Sequence, residues 1–164
     1  MAEWGFDTSE FKATEFKVVD LIHPDDTITQ AKSPKIAYRI VERGTSEHTI
    51  DQGIKRQAIA AGAQIHYKSK VKETDCQIIA CGPKGTSAVA YGEIFHTTHP
   101  NHIAFQLNDK LAPGAYSYLI VIDGVGLICT CLWRKQKKSD RFLNETIAWY
   151  DKHYPKLDLS LIHI

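Results

Sequence analysis

Three groups of residues have the types and spacing to do chemistry. The first is a glycine turn, Cys81-Gly82-Pro83-Lys84-Gly85, which follows a short apolar run at 77–80. Glycine carries no Cβ, so such a turn lets the backbone approach a ligand closely. The second is His96, His99 and His102, three imidazoles close in sequence. No carboxylate or cysteine at ligand spacing completes a metal set, so no metal is expected. The third is Tyr116 and Tyr118, which alternate with Ala115 and Ser117 and so share one face of a strand. Cysteine chemistry has less support. Cys76, Cys81, Cys129 and Cys131 make neither a C-x-x-C pair nor a zinc spacing. No histidine lies near Cys81 in sequence, and Cys129 and Cys131 read as small core residues on one strand face. No Ser-His-Asp or Cys-His set has local support, so the catalytic residues are unknown at this level.

These residues need elements to hold them. Residues 15–22 read as a strand ending in the turn His23-Pro24-Asp25-Asp26. A second strand is predicted at 35–41, alternating through Ile36, Tyr38 and Ile40 and pairing with the first across the loop 26–34. After Arg43-Gly44 comes a helix at about 50–61. Its apolar positions Ile50, Ile54, Ala58 and Ala61 fall on one face, Thr49 can cap it, Asp51 suits its first turn, and Gly62 stops it. Strands are predicted at 64–67 and 75–80, before the glycine turn. Beyond it the pattern turns more strongly β, with strands at 93–97, 102–107, 116–122 and 125–132. Asp123-Gly124 between the last two is a strong hairpin signal, because both turn positions need positive φ. A helix at 139–154 closes the pattern, stopped by Pro155. The alternation of strands and helix followed by a run of strands predicts an α+β or α/β chain.

Composition narrows the class. The chain has 164 residues, 43% of them apolar and 24% charged, with a net charge of +1. That is enough apolar material for a core. The near-neutral charge argues against a dedicated nucleic-acid binder. The densest basic run, Arg134-Lys135-Gln136-Lys137-Lys138, reads first as a solvated loop and second as a phosphate or lipid-headgroup contact. The first residues lack the basic-then-apolar order of a signal peptide, and no apolar run approaches the ~20 residues that span a bilayer. Unpaired thiols suit a reducing compartment, so a cytoplasmic location is expected.

Taken together, YRIVERGTSEHTIDQGIKRQAIAAGAQIHYKSKV, DCQIIACGPKGTSAVAYGEIF and LAPGAYSYLIVIDGVGLICTCLWR resemble the middle of a flavin-dependent oxidoreductase. The group they most resemble is the geranylgeranyl reductase-like flavoproteins, within the wider fold of aromatic hydroxylases. The resemblance spans roughly residues 35–134. It implies part of a three-layer FAD/NAD(P)-binding domain joined to an antiparallel β-sheet substrate domain. It implies FAD as cofactor and NAD(P)H as a reductant. It also implies a small apolar, isoprenoid-like substrate, and with that a peripheral membrane contact. By position in the motifs, Arg43, Val71, Gly82 and Pro83 would be cofactor-binding and Tyr116 and Tyr118 substrate-binding. Cys81 stands where many members carry aspartate. A G-x-G-x-x-G turn and the late Gly-Asp motif are both missing, so the chain reads as an internal fragment, inactive by itself. The implied organisation is a partial FAD-binding domain at 35–91 and a substrate-domain sheet at 92–134, with strands added from 12–34. A helix follows at 139–158. Residues 159–164 match the translation of a transposon end used in preparing sequencing libraries, and read as a non-native tail.

Two alternatives stand beside this reading. A monooxygenase or halogenase of the same fold would use the same parts. A non-catalytic module is the alternative from another class. Gly82-Pro83-Lys84-Gly85 has the G-x-x-G form of an RNA-binding KH loop, but a KH loop lies between two helices, whereas here a strand is predicted to precede it and the basic surround is thin.

Overall fold

A computed structural model describes residues 5–82, 85, 87–157 and the backbone of 160–161. The elements in chain order are β1 (Ala13–Phe16), β2 (Val18–Ile22), β3 (Ile28–Lys32), β4 (Tyr38–Val41), α1 (Ile50–Ala60), β5 (Val89–His96), β6 (His102–Gln106), β7 (Ser117–Ile122), β8 (Val125–Leu132), α2 (Ser139–His153) and β9 (Ser160–Leu161). The fold is mixed α+β. The chain divides into two compact units, one of Met1–Thr14 with Arg39–Lys84, the other of Glu15–Tyr38 with Gly85–Ile164. No helix among the described residues is long and apolar enough to cross a membrane.

The first unit centres on α1. The Thr49 side chain accepts from the Gln52 N–H, as a helix N-cap should. Gly62 takes a φ of 92° and its N–H bonds the Ile59 carbonyl, which ends the helix in a left-handed turn. Residues 7–11 pack across α1 where Gly53 offers no side chain. A Cβ there would come within 2.9 Å of the Glu10 carbonyl oxygen. Arg56 Nε donates to Glu10 Oε2 at 2.8 Å, and Gln57 exchanges two hydrogen bonds with the Asp7 backbone at 2.8 and 2.9 Å.

The strands expected at 64–67 and 75–80 do not form. Residues 63–82 are irregular apart from one 3-10 turn at Glu73–Asp75. A strand must find a neighbour for its N–H and C=O groups, and this unit offers no ladder at either place. Ile78 is left 86% exposed and Ile79 53%. An apolar run alone signals a wish to be buried, which is necessary for a buried strand but not sufficient.

The second unit is a seven-stranded sheet in the order β3-β2-β6-β7-β8-β5-β9, covered on one face by α2. β2 runs parallel to β6 and every other pair is antiparallel, so the sheet is mixed rather than purely antiparallel. Asp123 and Gly124 take φ of 51° and 82° between the paired residues Ile122 and Val125, the tight hairpin the sequence predicts. Elsewhere the strand bounds shift. The predicted strand 15–22 breaks at Lys17 into β1 and β2. The predicted loop 26–34 contains β3, which pairs with β2, while β1 pairs with β4 in a separate two-stranded sheet. β3 is exposed along its whole length, so it carries no hydrophobic alternation to betray it.

Register places Ala104, Leu119 and Ile128 side by side on the covered face, and Val121, Gly126 and Phe95 in the next row. Leu143 and Tyr150 of α2 close over these rows with Leu157, and Ile22 of β2 extends the covered face. Gly126 is part of the packing. A Cβ at this position would fall against the carbons of the Phe95 ring, which is fully buried. Gly126→Ala should therefore overpack this row and lower stability by about 1–3 kcal/mol. Urea unfolding of the two proteins followed by circular dichroism measures it, and an unchanged midpoint would contradict the packing described.

Candidate functional site

The sheet face opposite α2 carries the most concentrated chemistry. Alternation puts Phe105, Tyr118 and Cys129 in one row of that face, with Gly92 completing it on β5. Phe105 is the hub. Its ring centroid lies 5.3 Å from Tyr38, 6.0 Å from Tyr116 and 6.3 Å from Tyr118, and the two tyrosines are 6.2 Å from each other. These are the tilted and edge-to-face distances at which aromatic rings attract. Tyr116 and Tyr118 thus share a face, as their spacing predicts. Phe105 and Tyr38 join them through pairing that sequence spacing does not reveal.

The thiols Cys129 and Cys131 lie beside the rings. The Cys131 S–H hydrogen-bonds the Cys129 sulfur and, with a second bond from Tyr118, holds the Cys129 thiol below its ordinary range against the opposing effect of burial. The same bond pushes Cys131 up, and burial pushes Tyr118 up. Cys129 is buried and Cys131 partly so, while Cys76 and Cys81 are exposed. The half-buried state of Cys131 fits a surface, rather than a core, at that end of the row.

On the covered face lies a polar cluster that the sequence did not announce. Asp20 of β2 is only 7% exposed. Its carboxylate accepts from Gln30 Nε2 of β3 at 3.0 Å and from the Tyr154 hydroxyl, just past α2, at 3.2 Å. His102 Nε2 of β6 lies 3.2 Å from the same carboxylate. One buried charge therefore ties two strands and the helix end to β2. A cleft of about 290 Å³ opens beside it, lined by Glu15, Lys17, Gln30 and Asn101 among others. The histidine triplet is split by the pleat. His99 and His102 meet edge to face at 5.3 Å, while His96 projects from the opposite face. No group of three metal-binding side chains occurs among the described residues. The only sequence signal for the cluster was Asp20 itself, a carboxylate placed on an otherwise apolar strand.

In the first unit, Arg43 is 75% exposed and holds Asp51 in a bidentate pair, Nε to Oδ2 and Nη2 to Oδ1, both 2.8 Å. The Gly44 N–H adds a third bond to Asp51, and together these bring its carboxyl down to about 2. Val71 is 59% exposed on the irregular segment. Gly82 takes a φ of 74° with open space where a Cβ would project. Pro83 lies outside the described residues, as do Lys84 and Thr86. The structure thus brings Tyr116 and Tyr118 together, and Arg43, Val71 and Gly82 all fall in unit one. No protein-family model, no curated protein and no solved structure matches this chain.

The buried cluster has a pH signature. Burial lowers the His102 pKa below its ordinary value, more than the nearby Asp20 charge raises it. The unfolded chain then binds a proton at higher pH than the folded chain does. His102 contributes stability that is complete above the unfolded value of about 6.5 and lost as pH falls through the lower folded value. His102→Asn should flatten the fall in unfolding free energy between neutral pH and about pH 5.5, measured by urea titration at each pH. An identical slope in the variant would remove His102 from this role.

Proposed function

We propose that this chain is part of a flavin-dependent oxidoreductase in which the sheet face that α2 does not use closes over an apolar substrate. The observation that carries the reading is the ring cluster of Tyr38, Phe105, Tyr116 and Tyr118 on the face that α2 does not use. A largely antiparallel sheet with one face packed ordinarily turns a polar face outward. Here the second face carries aromatic rings and thiols, and Tyr38, Tyr116 and Ile94 are 43%, 41% and 37% exposed. Such a surface is suited to being covered by a ligand with matching apolar area. Phenol groups at its rim add hydrogen-bonding points without charge. This supports a reduced or oxygenated substrate of isoprenoid-like character, as the resemblance implies.

The first unit supports the reading differently. Ile65, Tyr67, Val71, Ile78 and Ile79 are all exposed on the irregular segment. Apolar side chains at this density suit a domain whose remaining strands come from further chain. The flavin itself does not fit the residues at hand. A pyrophosphate needs a glycine cradle at a helix N-terminus. The N-terminus of α1 is instead capped by Thr49 and carries Asp51, an anion, in its first turn. Arg43 is already neutralised by that same carboxylate. The redox step therefore belongs to the longer protein, and what this chain contributes is the surface that shapes the substrate's side of the reaction.

The test is to express the chain together with its upstream reading frame and to look for flavin absorbance in the purified protein. The extended protein should be yellow, and this chain alone should take up no flavin at micromolar concentration. A colourless extended protein that binds no added flavin would overturn the reading, as would submicromolar flavin affinity of the chain alone for its account of the missing cradle.

A further inference from the structure

One end of the sheet remains outside this account. β6 and β8 finish there and β5 and β7 begin there, so the loops 107–116 and 133–138 come together. The N–H groups of Trp133 and Arg134 both donate to the Pro113 carbonyl, at 3.3 and 3.1 Å, which fixes one loop to the other. Gly114 makes the junction possible, with a φ of 82° and the Trp133 Cβ only 3.3 Å from where a side chain would start.

The junction carries an excess of positive charge. Lys110, Arg134, Lys135, Lys137, Lys138 and Arg141 stand against Asp109, Asp140 and Glu145, in a chain whose net charge is only +1. Two open clefts run through them. One, of about 340 Å³, lies between Lys110, Lys135, Lys138 and Arg141. The other, of about 540 Å³, lies between Trp133 and the 135–138 turn. Arg134 pairs with Asp109 and Arg141 with Glu145. Lys137 and Lys138 make no ion pair among the described residues, and Lys135 acts on Asp109 only through its charge. Amid these cations Trp133 is 65% exposed and Leu107 53% exposed. Neither side chain has an intramolecular reason to face water.

We propose that this end of the sheet docks on the surface of an anionic phospholipid bilayer, with Lys135, Lys137 and Lys138 over the headgroups and Trp133 in the interfacial layer. Charge complementarity selects an anionic partner, and each lysine near such a surface contributes about a factor of five in partitioning. The exposed tryptophan selects a bilayer over a soluble polyanion. An indole prefers the layer where one side is apolar and the other wet, and a free phosphate would make no use of it. Single-stranded nucleic acid is held by a basic groove with several stacking platforms; here Trp133 stands 65% exposed amid the cations, while the ring of Tyr116 packs against Phe105 and Tyr118. The proposal is independent of the flavin reading, because it rests on a different surface and on no cofactor.

The test uses the chain as it is, with vesicles of phosphatidylcholine alone and of phosphatidylcholine mixed with phosphatidylserine. The protein should sediment with the mixed vesicles and stay in solution with the neutral ones. Raising salt to about 0.5 M should release it. The triple variant Lys135→Gln, Lys137→Gln, Lys138→Gln should partition roughly a hundredfold more weakly. Brominated phosphatidylcholine in the mixed vesicles should quench tryptophan fluorescence, and Trp133→Phe, checked for an unchanged circular dichroism spectrum, should abolish the quenching. Absence of binding to the mixed vesicles, or binding unaffected by the triple substitution, would overturn the proposal. So would binding without bromine quenching of Trp133, or tighter binding to single-stranded RNA with the same lysine dependence.

Discussion

The second unit depends on one packing event, the laying of α2 across a single face of the sheet. Leu143 and Tyr150 are almost fully buried against Phe95, Leu119, Val121 and Ile128. Each such side chain contributes roughly 1.5–3 kcal/mol by leaving water. Because a strand alternates its side chains, the same event that packs one row against α2 turns the next to the opposite face. Covering Leu119 and Ile128 leaves Tyr118 and Cys129 on the other side. The candidate surface is therefore a consequence of the core, and the two cannot be varied independently: a one-residue slip in β7 would exchange them.

The covered face also accepts a charge, which is costly unless that charge is paired. Asp20 accepts from two donors, Gln30 and Tyr154, and lies 3.2 Å from His102 Nε2, which itself makes no hydrogen bond. These partners come from β3, the residue after α2 and β6. Their value is positional as much as energetic, since removing Gln30 or Tyr154 leaves a buried carboxylate short of a donor. Gln30 adds a side-chain tie to the antiparallel ladder that holds β3, an edge strand exposed at every position, against β2.

The two ends and two faces of the sheet thus divide the chemistry. One face is core and buried polar tie. The other is rings and thiols. The end where β8 finishes concentrates cations around an exposed indole. Unit one contributes a well-capped helix and an irregular, apolar-rich segment. Its arginine, Arg43, is engaged by Asp51 in a pair that is exposed to solvent and so adds little stability. That pair explains how the Arg43-Gly44 corner is shaped.

Local features were legible in the residues alone. Thr49 capping α1, Gly62 ending it, Asp123-Gly124 turning the hairpin and Pro155 following α2 each depend on the conformational limits of one or two residues, and those limits travel with the sequence. So did the shared face of Tyr116 and Tyr118, which follows from a period of two. What only the tertiary structure decided was partnership. Whether 75–80 became a strand depended on a neighbour that was not there. Whether β2 paired with β3 or with the strand after it depended on competing ladders. Phe105 met Tyr118, and Asp20 met Tyr154, across separations that no spacing rule spans. Backbone preference is local and short-ranged, whereas burial and hydrogen-bond satisfaction are settled by whichever distant segment arrives, and for this chain that second kind of fact determined where the chemistry lies.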